Sequence, residues 1–288
     1  MRRTISFLND LAFKAVFGTE KNKRLLIALL NALLELDDDD RIVTITLLNP
    51  FNLATTVDDK QSCVDVKAVD GRGQNYLIEV QMQPRGAFTS RVVYYLARLF
   101  ADQLEAGARY TALCRATAIS LVDFNLFAEH NEVQSRFRLC DPQHDLILAE
   151  TLDLRFVELR KADIWPVSRV RTRFEKWLHM LKFGTRYPDL GHLPPALADE
   201  EEIVMSLEQL RNVNADSIAR ERLEAREKWL RDHLSDLGDA REEGLVQGRA
   251  EGRADIVRAM LAKGMAVAIV AELTGLSVAE IDTLRRRS

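Results

Sequence analysis

The sequence has few cysteines, and their arrangement excludes the commonest cysteine-based sites. Only three occur in the 288 residues: Cys63, Cys114 and Cys140. They are odd in number, widely separated and never spaced as a Cys-x-x-Cys pair, which argues against a disulfide framework and against a zinc ribbon. Such cysteines suit a reducing compartment, so we expect a cytoplasmic protein.

Long apolar stretches and local histidine pairs are also missing. No uncharged stretch reaches the ~18 residues that a membrane-spanning helix needs. Asp10 precedes any apolar run that could serve as a signal peptide. The five histidines never stand close together in the sequence, which removes the His-Glu-x-x-His motif of zinc proteases. We therefore expect no membrane partner and no local histidine metal motif.

The composition is that of a globular chain with a slight acidic excess. Hydrophobic residues make up 47% and charged residues 29%, which allows a sizeable core. At ~150 residues per domain, the length predicts roughly two domains. Because the formal net charge is −4, the chain as a whole does not attract nucleic acid, and any binding must use a local basic face.

The order of the predicted elements indicates an α/β or α+β core of about 180 residues. The helix over 90–107 is expected to turn Val93, Leu96, Ala97 and Phe100 inward. Apolar periodicity and turn residues predict the following elements in chain order: helices over 9–17 and 21–36, a strand over 42–48, a β-hairpin over 63–83, a helix over 90–107, strands over 116–122 and 154–159, and a helix over 173–183.

The chain beyond this core is predicted to be helical. Glycines and prolines mark 184–199 as a linker between the core at 1–183 and a charged helical arm at 200–255. Within the arm, glycines recur every four residues at positions 244, 248 and 252. They indicate either local fraying, since each glycine costs ~1 kcal/mol against alanine, or close contact with a partner helix. Both interpretations stay open.

The tail at 256–288 fits a helix-turn-helix. Two short helices flank a turn containing Gly275, and Ser277 with Glu280 has capping-box spacing. The last helix would then be the recognition helix, with Arg285 and Arg286 contacting DNA phosphates. An ordinary antiparallel helical hairpin with a solvated basic end has the same pattern.

The predicted hairpin brings two acids together. If it turns about Arg72, Asp65 faces Glu79, Cys63 faces Gln81, and these side chains share one sheet face while apolar residues cover the other. Facing carboxylates with Cβ atoms ~5 Å apart repel each other. A shared proton, a basic neighbour or a divalent cation must therefore offset the repulsion.

A hard cation suits this pair of acids. Mg²⁺ binds carboxylate oxygens and keeps several waters, one of which can become a nucleophile against a phosphodiester. The alternative is an ordinary hairpin whose two acids lie on a solvent face and form ion pairs with Lys67, Arg72 or Arg91. Spacing alone leaves both interpretations open.

Six motifs of this chain occur in the same order in one known family. They are Asn9 to Gly18, Leu47 to Pro50, Val64 to Ala68, Ile78 to Gln83, Tyr94 to Leu99 and Leu121 to Phe127. On these motifs, which extend over about residues 5–183, the chain resembles the recombination-promoting nuclease and transposase-like family of the PD-(D/E)xK superfamily. The tail with Gly275 and Ser277 also resembles the C-terminal extension of many members.

The resemblance implies a restriction-endonuclease-like core, a central mixed sheet flanked by helices, with an all-α C-terminal extension. It implies a DNA endonuclease that uses Mg²⁺, with Mn²⁺ as a substitute. Asp65 matches the metal-binding aspartate and Glu79 the acid of the (D/E)xK half-motif. Gln81 stands where the superfamily usually has lysine, and a neutral amide can only orient water or phosphate by hydrogen bonds.

Further residues follow from the same resemblance. Asp10 matches the acid of the first helix, which in related nucleases is a metal ligand or supports one. Asn9 or Asp10 is also placed as the N-cap of this helix, and that role alone explains an aspartate at a helix start. Lys67 and Arg91 would contact DNA near the acids, and Lys67 would replace the missing charge. The C-terminal helices would bind DNA or join two copies in a homodimer.

We therefore expect a Mg²⁺-dependent DNA endonuclease linked to recombination or transposition. The first alternative is a non-catalytic DNA-binding or protein-interaction scaffold on a degenerate nuclease fold, which Gln81 favours. The second is a transcriptional regulator built on the tail helices.

Overall fold

The computed structural model describes residues 4–49, 66–84, 86–164, 167–187 and 189–286. The chain forms two units, Met1–Leu223 and Glu224–Ser288. The helices of the described residues are α1 Asp10–Phe17, α2 Lys23–Leu34, α3 Phe88–Ala101, α4 Arg173–Phe183, α5 Pro195–Ala198, α6 Glu201–Ala215, α7 Ser217–Ala262, α8 Val267–Thr274 and α9 Val278–Arg286. The strands are β1 Ile45–Leu47, β2 Val66–Asp70, β3 Asn75–Gln81, β4 Ala116–Val122, β5 Gln134–Asp141 and β6 Leu146–Glu158.

The first unit is built on one mixed sheet, whose described strands have the order β1-β2-β3-β4-β6-β5. Strands β3, β4 and β6 run parallel, and the remaining neighbours pair antiparallel. Parallel strands need helical crossovers, and α3 supplies the one between β3 and β4. The C-terminal ends of the three parallel strands therefore lie at one edge, where α/β proteins usually place their sites.

Helices cover both faces of the sheet. On one face, apolar side chains of α1, α2, α4 and α6 pack with Ile78, Val80 and Leu121. On the other, α3 packs with Leu77, Ala118 and Phe156. Every residue of β3 is buried as a consequence. A mixed sheet flanked by helices confirms the α/β expectation for this unit.

The hairpin of β2 and β3 has the predicted register. Val66 pairs with Ile78 and Ala68 with Tyr76, as a turn about Arg72 requires. Gly73 adopts φ of 81° in the turn, a left-handed conformation that favours glycine. The alternative of a hairpin with a solvent-exposed face is wrong for β3, since all of its residues are buried. Met82, directly after the strand, is exposed.

The predicted helix after the hairpin is shorter than expected and turned about its axis. It begins at Phe88 and ends at Ala101, and Val92, Leu96 and Leu99 are its inward residues. Val93, by contrast, is 51% exposed. The apolar stripe therefore begins with Phe88 and Val92, which belong to the same core cluster as Leu77 of β3.

The first unit extends past residue 183, which differs from the expected linker and arm. Leu193, Leu197, Ile203, Leu207 and Leu210 all join the core that contains α1 and α2. The segment expected as a linker contains α5, and the first part of the expected arm, α6, has a buried stripe. The prolines and glycines of 184–199 therefore belong to a packed connection within the first unit.

The second unit is all helical. The C-terminal part of α7, α8 and α9 enclose a small core of Val257, Val270 and Ile281. Gly275 ends α8 with φ of 68°, and Ser277 and Glu280 form the predicted capping box at the start of α9. Among the described residues, none of the helices is both long and apolar enough to cross a bilayer.

Candidate active site

The acid of the predicted half-motif lies at the C-terminal end of β3. Glu79 shares a sheet face with Leu77 and Gln81, because side chains alternate along a strand. That face is covered by α3, so Glu79 is only 4% exposed. A carboxylate this deeply buried needs a charged or hydrogen-bonding partner.

Arg91 of α3 supplies such a partner. Its Nη2 donates to Oε1 of Glu79 at 2.7 Å and to Oε1 of Gln81 at 3.1 Å. The guanidinium also lies over the ring of Phe88, at 5.3 Å from the centroid. One cationic group thus bridges two side-chain oxygens, and of the three expected counter-ions the structure brings Arg91 to Glu79.

Gln81 has a fixed orientation. Its Nε2 donates to the backbone oxygen of Gln83 at 2.9 Å, while its Oε1 faces the guanidinium of Arg91. The amide oxygen therefore points to the same place as the carboxylate of Glu79. A neutral oxygen in this position can accept hydrogen bonds or bind a cation, but it cannot replace the charge of a lysine.

Ser120 is a neighbour of Glu79 that the sequence did not reveal. It occupies the register position beside Glu79 on the parallel strand β4. Ser120 is 1% exposed, and its hydroxyl has no hydrogen-bond partner among the described residues. Nothing in the sequence distinguishes it from other strand serines, since its position depends on the β3–β4 pairing.

The other expected site residues are placed as follows. Asp65 and Cys63 lie outside the described residues. Lys67 is half-buried beside Leu77, on the sheet face of Glu79, and forms no ion pair with any residue that the structure describes. Arg72, in the turn, pairs with Asp70 and Asp40 rather than with Glu79.

Asp10 begins α1, on the helical layer that packs against the opposite face of the sheet. The N-cap of this helix is Asn9, whose Oδ1 accepts from the amide of Ala12 at 3.0 Å. Asp10 accepts from the amide of Leu11 at 2.9 Å. Of the two expected N-cap candidates the structure confirms Asn9, and the capping explanation for Asp10 is wrong.

The chemistry of the oxygens at this site fits a hard divalent cation. Carboxylate and amide oxygens are the ligands that Mg²⁺ binds in proteins. Oε1 of Glu79 and Oε1 of Gln81 already converge on one positive group, Nη2 of Arg91. Within the described ranges, no group of three or more His, Cys, Asp or Glu side chains is arranged to hold a metal ion.

A buried polar network continues along the same sheet edge. Glu158, fully buried at the end of β6, accepts from the amides of Leu126 and Phe127 at 2.6 and 3.1 Å. Lys161 Nζ lies 2.8 Å from its other oxygen. The network holds the loop after β4 in place. In the sequence, the only signal for this network is an acid, Glu158, at the end of an apolar strand.

The same loop is tied to the candidate site through its first residue. The amide of Asp123 donates to the backbone oxygen of Gln81 at 3.0 Å. The carboxylate of Asp123 pairs with Lys182 of α4. The motif around Asp123 therefore fixes the end of β3 where Gln81 lies.

In the second unit, Arg285 is exposed on α9, and the side chain of Arg286 lies outside the described part. Helix α9 also contains Glu280 and Asp282, so its basic residues are confined to its last turn. The arrangement of three short helical segments around one core is that of a helix-turn-helix unit.

Two family models match this chain. Residues 7–240 match the model described as PD-(D/E)XK nuclease family transposase. Residues 251–286 match the model of the C-terminal HTH domain of the Rpn/YhgA-like nuclease family. Searches of curated proteins and of solved structures found no match.

Proposed function

This chain belongs to the PD-(D/E)XK nuclease family of transposases, and we propose that it is a divalent-metal-dependent DNA endonuclease. The observation that carries this proposal is the convergence of Glu79 Oε1 and Gln81 Oε1 on one cationic group in a buried site. Mg²⁺ would be the natural cation, with Mn²⁺ as a substitute.

Asp65 and Glu79 would hold the metal together. The predicted hairpin pairs Asp65 with Glu79, and the described pairs of β2 and β3, such as Val66 with Ile78, have the register of that prediction. Asp10 is proposed as a further ligand or as a group that supports one. When bound, the cation would lower the pKa of a water and stabilise the charge that develops on the phosphodiester.

The residues around the acids would align the substrate. Gln81 orients a water or a phosphate oxygen through its amide, whose direction is fixed by the contact with Gln83. Lys67, on the same face and without an ion pair in the described part of the chain, would supply the positive charge that Gln81 lacks. Arg91 would exchange its contact with Glu79 for a DNA phosphate.

The C-terminal unit would bring the nuclease core to DNA. Its match to an HTH domain supports DNA binding, and we assign Arg285 and Arg286 to phosphate contacts. The helices of this unit are also the proposed site of homodimerisation. The transposase-like family supports a role in recombination or in the movement of genetic elements.

Plasmid cleavage tests the proposal. The full-length protein is incubated with supercoiled plasmid and Mg²⁺ or Mn²⁺, alongside Asp65→Asn, Glu79→Gln and the control Glu208→Gln, an exposed acid of α6. We expect nicking or linearisation by the wild type and the control, and a loss of at least 100-fold in the two site variants. Equal cleavage by all four proteins would reject the assignment.

A second candidate function is a non-catalytic DNA-binding scaffold. Gln81 in place of lysine favours it, as does the ion pair between Arg91 and Glu79. A scaffold would bind DNA without cleaving it and would have no use for a divalent cation. Metal calorimetry combined with DNA binding therefore separates the two functions.

A further inference from the structure

One flank of α3 carries exposed side chains, Tyr94 and Arg98, that the packing of the helix does not use. This flank, called here the α3 flank, consists of Arg91, Tyr94, Tyr95 and Arg98. The buried stripe of the helix runs along Phe88, Val92, Leu96 and Leu99 instead.

The four residues of the α3 flank form a continuous strip. Their spacing from Arg91 is three, four and seven residues, which places them on one side of a helix. At 1.5 Å per residue, Arg91 and Arg98 are about 10 Å apart along the axis. That length spans at most about three nucleotides, because 3.4 Å is the rise of a strand stacked as in a duplex.

The strip begins at the candidate site. Arg91 contacts Glu79 and Gln81 directly, so whatever lies along the α3 flank reaches the acids. The orientation of α3 then leads away from that site toward Arg98. A strand of substrate held here would enter the site at the Arg91 end.

The outer half of the strip is open to solvent. Tyr94 is 57% exposed, and its ring lies 5.5 Å from that of Tyr95 in an edge-to-face arrangement. The side chain of Arg98 is 61% exposed, 3.7 Å from Asp102. An arginine guanidinium is charged at any working pH, so Arg98 is a permanent cation.

An exposed aromatic ring, that of Tyr94, between two arginines fits an unpaired nucleic-acid strand. Bases stack on aromatic faces without regard to sequence, and arginines neutralise the phosphates between them. In an intact duplex the bases stack on one another, so a protruding tyrosine ring has no base face to contact. A protein segment bound along the α3 flank would not offer Arg91 and Arg98 the regularly spaced anions of a DNA strand.

We propose that the α3 flank binds an unpaired DNA strand that leads into the candidate site, with a base stacked on Tyr94 and phosphates on Arg98. This inference rests on the proposed nuclease function and specifies its substrate as DNA with a single-stranded segment. Tyr94 and Arg98 are binding residues in this assignment, and they do not touch the reacting phosphate.

Binding assays without metal test the proposal independently of cleavage. Fluorescence anisotropy in EDTA compares the full-length wild-type protein with its Tyr94→Ala, Tyr94→Phe and Arg98→Gln variants. The ligands are a labelled single-stranded 20-mer and the matching duplex. Val93→Ala is the matched control, because Val93 is equally exposed on the same helix but outside the flank.

We expect Tyr94→Ala to weaken single-strand binding about 5- to 100-fold, the range for one lost base stack. Tyr94→Phe should keep the single-strand affinity within about twofold because it keeps the ring. Val93→Ala should do the same because Val93 lies outside the flank. Arg98→Gln should lower the salt dependence by about 0.7 in the log–log slope. Duplex binding, which the C-terminal unit supports, should change little with Tyr94→Ala.

Two results would overturn the inference. One is unchanged single-strand binding by Tyr94→Ala, and the other is an equal loss for single strand and duplex. Neither result depends on cleavage. If the wild type cuts no DNA but Tyr94→Ala still weakens single-strand binding, the nuclease function is rejected and the binding proposal stands. Circular dichroism verifies that each variant keeps its helices, as expected for exposed positions.

Discussion

The guanidinium of Arg91 lies 2.7 Å from Oε1 of Glu79, inside the face of the sheet that α3 covers. The side chain of Glu79 is 6% exposed and that of Arg91 is 26% exposed, so removal of Arg91 would leave a buried carboxylate uncompensated. The proposed divalent cation would be held by the same carboxylate. Arg91 and the cation should therefore compete for Glu79.

Replacing Arg91 tests this competition. In Arg91→Met the oxygen of Glu79 loses its fixed counter-ion, so we expect Mn²⁺ to bind about tenfold more tightly, while the free energy of unfolding falls by about 1 to 3 kcal/mol. Calorimetry and urea denaturation measure the two effects. Arg98→Met, on the exposed part of α3, should change neither. Weaker metal binding by Arg91→Met would show that the guanidinium assists the site.

Removal of the Ser120 hydroxyl, unlike removal of Arg91, is not expected to lower the free energy of unfolding. Its buried hydroxyl has no partner among the described residues, and such a group costs about 1 to 3 kcal/mol of desolvation. Ser120→Ala should therefore leave the protein equally stable or more stable by up to about 1 kcal/mol in urea denaturation. A loss of more than 1 kcal/mol would mean that the hydroxyl makes a stabilising hydrogen bond.

Glu158 and Lys161 form a buried pair that should behave as a unit. Glu158→Gln leaves the ammonium of Lys161, which is almost as buried, without its counter-ion, and we expect a loss of about 3 kcal/mol. The double variant with Lys161→Met should recover part of this loss. A double-mutant cycle by urea denaturation measures the coupling, and additive losses would contradict the pairing.

His179 makes stability depend on pH. Burial, together with the nearby charge of Arg186, lowers the pKa of His179 below its usual value of about 6.5. Below that pH the unfolded chain binds a proton that the folded chain does not, so stability should fall as the pH decreases from about 6.5. His179→Gln should flatten this dependence in denaturation at several pH values, whereas the exposed His192→Gln should not.

The sequence predicted the central strands well because local rules determine them. The turn around Gly73 and the period-two pattern fixed the register of β2 and β3, and the apolar run from Ala116 to Val122 corresponds to β4. Strand β5 was missed because most of its side chains are exposed, so it has no apolar alternation to reveal it.

The environment of Glu79 could not be predicted from the hairpin alone. Alternation along β3 indicates one apolar face, but it does not show what covers the face of Glu79. That face is covered by α3, which is the crossover between the parallel strands β3 and β4. For the same reason Ser120 has no signal in the sequence. The segment after residue 183 shows a similar effect, since its leucines fill space left between α1, α2 and α4.

The proposed nuclease function requires Glu79 and Asp65 to hold one divalent cation. Isothermal titration of the full-length protein with Mn²⁺ tests this directly, with Glu79→Gln, Asp65→Asn and the exposed control Glu208→Gln measured beside the wild type. We predict saturable binding by the wild type and the control, and affinity at least tenfold weaker in both site variants. Binding of equal strength in all four proteins would contradict the account.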